Sequence, residues 1–224
     1  GDSTLSAAND LASTNAGNTV NITDGVTLTL GDSLTLGVAG KFVLGTSTAG
    51  GTLTLAGADT YLGLINGPSA GVGTLDINAA STITSIVGGT AALASIDVGA
   101  ATTFSAAVSA TTMNISGDHK VTATGTITGN TTVTTTNEGE IETAGAISHT
   151  GSIGASGALL ATLDVNHTFT SGSTVHATAI DTAAVTHTAS GDITAAYNFS
   201  ADGTLALADG ADVTGAITAG STDE

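Results

Sequence analysis

The chain has 224 residues, with 31 glycines, one proline, no cysteine, no tryptophan and 3% aromatics; 19 acidic residues against two lysines give a net charge of −17. With 41% apolar and only 9% charged residues, it is neither a disordered acidic chain, which would be poor in Val, Ile and Leu, nor a halophile-type acidic shell. Two cations cannot replace the counterions of a nucleic acid, and the lack of cysteine removes disulfides, thiolate metal sites and thiol nucleophiles together.

The N-terminus opens on Gly1 without a basic stretch followed by an apolar run, as expected of a processed, secreted product. No apolar run approaches the roughly 18 residues that cross a bilayer, so no membrane insertion is expected. Residues 1–18 read as a cap segment. Within it, 2–12 fit a short capped amphipathic helix whose Leu5, Ala8 and Leu11 close the first coil. From 19 to 219 the pattern changes to three-to-five-residue alternations of apolar and polar residues separated by Gly, Asn, Asp or Ser, which is strand periodicity. Examples are Val20-Asn21-Ile22, Leu28-Thr29-Leu30, Leu53-Thr54-Leu55, Leu75-Asp76-Ile77, Ile96-Asp97-Val98, Met113-Asn114-Ile115, Leu163-Asp164-Val165 and Tyr197-Asn198-Phe199. Residues 220–224 form an acidic tail.

These cores recur. Ile96 to Met113, and Leu163 to Ile180 to Tyr197, each step by about 17 residues, and the same phase passes through Asn130 and Ile147. Leu53 to Leu75 to Ile96 steps by about 21 or 22, as if the earlier turns carried longer loops. A repeat this short cannot hold a helix pair or a propeller blade, but suits one coil of a solenoid stacked at about 4.8 Å per coil. The expected fold is an all-β, right-handed parallel β-solenoid (β-helix) with coils of about 17–22 residues, roughly 11 or 12 of them. Ile96, Met113, Leu163, Ile180 and Tyr197 would stack inside it. The competing fold is an antiparallel β-sandwich of pilin or immunoglobulin type. It has no buried Trp to support it, few aromatics to fill a wide core and no reason for a repeat phase.

The segments Gly51-Thr52-Leu53-Thr54-Leu55-Ala56-Gly57, Val26-Thr27-Leu28-Thr29-Leu30-Gly31 and Gly203-Thr204-Leu205-Ala206-Leu207 resemble, in composition and repeat texture, secreted bacterial β-solenoid surface proteins of the autotransporter-passenger kind. That resemblance implies a stacking fold and a surface location, and leaves the job open. Two features depart from it: the C-terminal residues 220–224 do not lead into a membrane barrel, and 224 residues is short for such a passenger.

Among chemistry-bearing residues, Asp97, Asn114, Asp164, Asp181 and Asn198 share one phase, each central in an apolar-x-apolar triplet. They are expected to form an outward polar ladder with Asp164 and Asp181 about 5 Å apart. Asp192 and Asp209 make a second in-phase pair beside corner glycines, and Glu138, Glu140 and Glu142 project from one strand face. Calcium is the cofactor such oxygen sites would take, although neither an EF-hand loop nor a Gly-Gly-x-Gly-x-Asp nonapeptide is present. The plainer role is a solubilising stripe that blocks sideways strand pairing. His119, His149, His167, His176 and His187 fall at different phases, as solvated or singly hydrogen-bonded residues would. No nucleophile motif has a base beside it. Lys41 and Lys120 are too few cations for a polysaccharide-cleaving helix, so no enzyme is expected. Asn21, Asn114, Asn130, Asn166 and Asn198 sit in glycosylation sequons, little more than so Ser/Thr-rich a chain yields by chance. Thr-x-Thr pairs at 27/29, 52/54, 82/84, 126/128 and 132/134 fall at shifting phases, so the flat array of an ice-binding face is not expected.

The leading expectation is a secreted, non-enzymatic structural protein of the cell surface or extracellular matrix. Its partner would be itself, joined head to tail into filaments through the uncovered final coil 213–218. A monomeric adhesin binding a host or neighbouring cell comes second, and an ice-binding protein third.

Overall fold

A computed structural model describes residues 1–5, 18–31, 34–35 and 40–220. Its strands are those the alternation predicts, and among the described residues every strand ladder is parallel and no helix occurs. The fold is a parallel β-solenoid of about ten turns, in two compact units, Gly1–Met113 and Asn114–Glu224.

In the first unit the described strands lie on three walls. Ser3–Leu5, Thr27–Leu30, Thr52–Leu55, Thr74–Ile77 and Leu93–Val98 form one. Leu34–Thr35, Thr60–Leu62, Ser81–Ile83 and Thr102–Phe104 form the second. The third is Thr19–Ile22, Lys41–Leu44 and Leu64–Asn66, prolonged by single bridges from Ile65 to Val87 to Val108. Successive residues of a strand point to opposite faces, so each wall sends alternate side chains inward. Leu53, Leu75 and Ile96 stack in register and are fully buried, as are Leu55, Ile77 and Val98 beside them. Each such side chain contributes about 1.5–3 kcal/mol.

The second unit repeats the plan. One wall comprises Lys120–Ala123, Glu138–Thr143, Leu160–Val165, the later halves of Val175–Thr182 and Ile193–Phe199, and Ile217–Ala219. A second holds Ile147–His149, Phe169–Ser171, Thr186–Ala189 and Thr204–Leu207. The third runs through Thr131, Ile153, Val175, Ile193 and Val213. Val175–Thr182 turns from the third wall to the first at a bulge between His176 and Ala179, where one extra residue bends the strand.

Two expectations need correction. Ser3–Leu5 is not helical: it is a strand parallel to Thr27–Leu30, and its Ser-Thr-Leu sequence suits a ladder edge as well as a helix start. The rest of the expected helix, residues 6–12, lies outside the described residues, as do 13–17 of the cap segment and 221–224 of the tail. Nor do Ile96, Met113, Leu163, Ile180 and Tyr197 make one column. Ile96 pairs with Leu75, whereas the column through Leu163, Ile180 and Tyr197 comes from Val121 and Ile141. Ile147 pairs with Phe169 on a different wall. The 17-residue step holds from Leu163 to Tyr197, and Ile96 and Met113, 17 residues apart, are buried on adjacent strands. Ile141 precedes Leu163 by about 22 residues because the 150s carry a longer corner, so counting by 17 crosses from wall to wall.

Candidate functional site

The outward face of the first wall of the second unit carries the carboxylates. Register places Thr122, Glu142, Asp164, Asp181, Asn198 and Thr218 one above another. Asp164 and Asp181 are direct neighbours, as their phase predicts, and Asn198 continues the ladder. In a second column, two residues earlier on each strand, Lys120 faces Glu140. The Lys120 ammonium contacts Glu140 at 2.6 Å and Glu142 at 3.0 Å. Its hydrogen bond to Glu142 holds that carboxyl below the usual range. Asn198 donates to Asp181 at 2.9 Å, and Thr218 donates to Asn198. Asp164 lacks such help. Partial burial, then contact with Glu140 and the charges of Glu140 and Asp181, push its pKa up to about 6.

Asp192 and Asp209 are not partners. Both are exposed, and the residue that matches Asp192 in the next coil is Asp212: the Val175 N–H donates to the Asp192 carbonyl and the Ile193 N–H to the Asp212 carbonyl. The Asp192 side chain accepts the Asp212 N–H at 3.0 Å. The corner at 208–211 adds three residues to the 17-residue step, which moves Asp209 out of phase. Among the described residues no group of three or more His, Asp or Glu side chains could hold a metal ion.

Two of the five threonine pairs, 27/29 and 52/54, are in better register than their spacing implies. Thr27, Thr52 and Thr74 form one column, and Thr4, Thr29 and Thr54 the next, continued by Asp76 and Asp97. The shifting phase came from a 17-residue count applied to coils of about 22. The array ends in carboxylates, and the Thr54 hydroxyl donates to Asp76 at 3.3 Å. In the second unit the outward positions Ser148, Thr170, Thr188 and Ala206 form an uncharged column on the second wall.

Two histidines are neither solvated nor singly bonded. His149 and His187 are fully buried. His149 Nδ1 lies 3.1 Å from the Gly151 carbonyl, which can only accept, so Nδ1 carries the hydrogen and Nε2 accepts from the Thr131 hydroxyl at 2.8 Å. For His187, Thr182 donates to the Tyr197 hydroxyl at 2.9 Å, leaving the Tyr197 hydrogen for His187 Nδ1 at 3.0 Å, while Nε2–H reaches the Ser171 hydroxyl at 3.0 Å. Phe169, His187, Tyr197 and Phe199 form a run of ring contacts with centroids 5.0–5.9 Å apart. Burial depresses both imidazoles to about 4. Their parity was visible in the sequence, since His187 alternates with Val185 and Ala189, and His149 with Ile147. The Ser171–His187 contact is sealed inside the core, where no substrate reaches it. His119 and His176 are half-buried and His167 is exposed.

The last described coil differs from those before it. Val213–Thr214 and Ile217–Ala219 pair with Ile193–Phe199 on one side only. Ile217 continues the column of Leu163, Ile180 and Tyr197, each 0% exposed, yet is itself 57% exposed, and Leu207 is 42% exposed. Comparison with protein-family models, with curated proteins and with solved structures gives no match.

Proposed function

We propose that this chain is a non-catalytic structural protein of the cell surface or extracellular matrix that continues its stack of coils from one copy into the next. The observation that carries this reading is the last described coil, at Leu207, Val213 and Ile217. Its ladder has N–H and C=O groups without strand partners among the described residues, and its inward-facing Ile217 is more than half exposed. Another coil is the surface that matches both demands, because it supplies backbone partners at the strand spacing and apolar side chains in the same columns. The contact would be heterologous and would not close, so it propagates. The composition shared with secreted bacterial surface solenoids supports the location. Each copy carries −17, so salt that screens this repulsion should favour assembly.

Light scattering coupled to size exclusion, across rising protein and salt concentration and with or without calcium, tests the reading together with negative-stain microscopy. Masses above 21.3 kDa that grow with concentration, and filaments abolished in Leu207→Lys/Ile217→Lys without change in circular dichroism, are expected. A 21.3 kDa species under every condition would refute assembly and leave the monomeric adhesin as the better reading.

A further inference from the structure

The first unit contains a cavity of about 380 Å³ whose lining includes Lys41, Val43, Asn66, Pro68, Ser69 and Thr90. Its floor is the third wall: Val43 lies opposite Asn66 in register, and Lys41 is two residues before Val43 on the same outward face. Its rim is the 67–73 corner, which holds the chain's one proline. That corner is fixed from below, with the Gly67 N–H on the Ala91 carbonyl at 3.1 Å and the Gly71 N–H on the Ala92 carbonyl at 2.9 Å. Gly67 is required there, because a Cβ would sit 2.3 Å from the Val72 carbonyl oxygen and 2.7 Å from that of Ser69. The cavity is therefore built into the backbone.

Its chemistry is that of a donor site. Asn66 is only 5% exposed; its Oδ1 accepts the Thr90 N–H at 3.0 Å, and its Nδ2 donates to no described residue. Lys41 makes no ion pair with a described residue, whereas Lys120 is held by Glu140 and Glu142. Of the chain's 19 acidic residues, no described one lines the cavity. One ammonium, one amide N–H₂ and two hydroxyls, beside the apolar surfaces of Val43 and Pro68, match a ligand with one negative charge and a hydroxylated body. A phosphate dianion would call for more cations or a fork of backbone donors. The volume lies at the small end of ligand pockets.

We propose that this cavity binds a sugar-sized carboxylate, a uronic acid, with Lys41 and the Asn66 amide on the carboxylate. The site goes beyond end-to-end assembly and does not depend on it, since Leu207 and Ile217 belong to the other unit. Titration of the whole chain with glucuronate, with a uronic-acid oligomer, and with glucose and acetate as controls, followed by NMR shifts or calorimetry, tests it. Saturable binding of a uronate, weaker for glucose and acetate, is expected, and Lys41→Met should weaken it at least about tenfold by removing a charge-assisted hydrogen bond. Asn66→Asp keeps an acceptor for Thr90 but places a carboxylate in the cavity, and should abolish binding. Preference for the oligomer would assign the ligand to a glycan chain, and equal affinity for the monomer to the free acid. Binding of neither uronate, binding indifferent to Lys41→Met, or glucose bound as well as glucuronate would overturn the proposal.

Discussion

Lowering the pH from 7.5 to 5 should destabilise this protein through His149 and His187. Both imidazoles are buried neutral, with folded pKa values depressed from 6.5 to about 4. In the unfolded chain they take protons near pH 6.5, so below that pH the unfolded state binds more protons and stability falls. Their contribution is complete above about pH 6.5 and is lost as the pH drops towards 4. Each loses about 1.4 kcal/mol per pH unit in that window. At pH 5 the two together cost about 4 kcal/mol, a large share of the 5–15 kcal/mol typical of a folded protein. Asp164 works in the opposite sense: its folded pKa is raised to about 6, so protonation between 6 and 4 relieves a repulsion. Asp164 is partly solvated, so this returns at most about 1 kcal/mol at pH 5.

Hydrogen-bond direction gives the same sign for His187. Its Nδ1 must accept from Tyr197, whose oxygen already accepts from Thr182. Adding a proton at Nδ1 would set two donors against each other unless the chain of hydroxyls reverses. Urea midpoints at pH 7.5, 6, 5.5 and 5 provide the measurement, at constant m-value. His187→Gln removes one titrating group, and should roughly halve the pH slope while lowering stability at pH 7.5. A wild-type midpoint flat from pH 7.5 to 5, or an unchanged slope in His187→Gln, would refute the reasoning.

Asp164→Asn should stabilise the fold at pH 7 by up to about 1 kcal/mol, because it removes a carboxylate pressed between Glu140 and Asp181; the gain should shrink as the pH falls from 6 towards 4 in the same urea assay. Gly67→Ala should cost several kcal/mol, given the overlap of its Cβ with two carbonyl oxygens, and should lower the thermal midpoint while weakening uronate binding. Millimolar calcium or chelator should leave the melting temperature unchanged to about 1 °C, since Asp164 and Asp181 are two carboxylates where calcium takes six to eight oxygens. A chelator-dependent fall of several degrees would restore calcium at Asp164/Asp181 or Asp192.

The alternation within each core was legible because a strand buried on one face has period two, and Leu53, Leu75, Ile96, Leu163 and Ile180 are inward as their parity requires. Which wall each core belongs to was not. All three walls use the same residue types, and the corners that separate them vary in length. The equal steps from Leu163 to Tyr197 revealed the phase only where coils lack inserts. The same variation hid the threonine columns and misplaced Asp209. For the cavity, the visible signals were the single proline and the longer first-half coils. Its meaning depends on Lys41 and Asn66, 25 positions apart in sequence and brought to one face only by coil stacking.

In-register stacking also explains how the acidic residues are arranged. A parallel solenoid sets each residue about 4.8 Å from its counterpart in the next coil, so a repeated carboxylate repels itself along the whole stack. In the second unit the ladder admits three in succession, Glu142, Asp164 and Asp181, and ends in neutral residues, Thr122 on one side and Asn198 and Thr218 on the other. Lys120 neutralises the Glu142 end, and the Asn198 amide supports the Asp181 end. The middle member, Asp164, is partly buried and has only like charges above and below in this ladder, and its pKa rises accordingly. The next rung after Asn198 is the uncharged Thr218, beside the exposed Ile217. Continuing the stack at that coil therefore meets no buried carboxylate in this ladder, and the repulsion that opposes assembly is long-range and screened by salt rather than fixed at the contact.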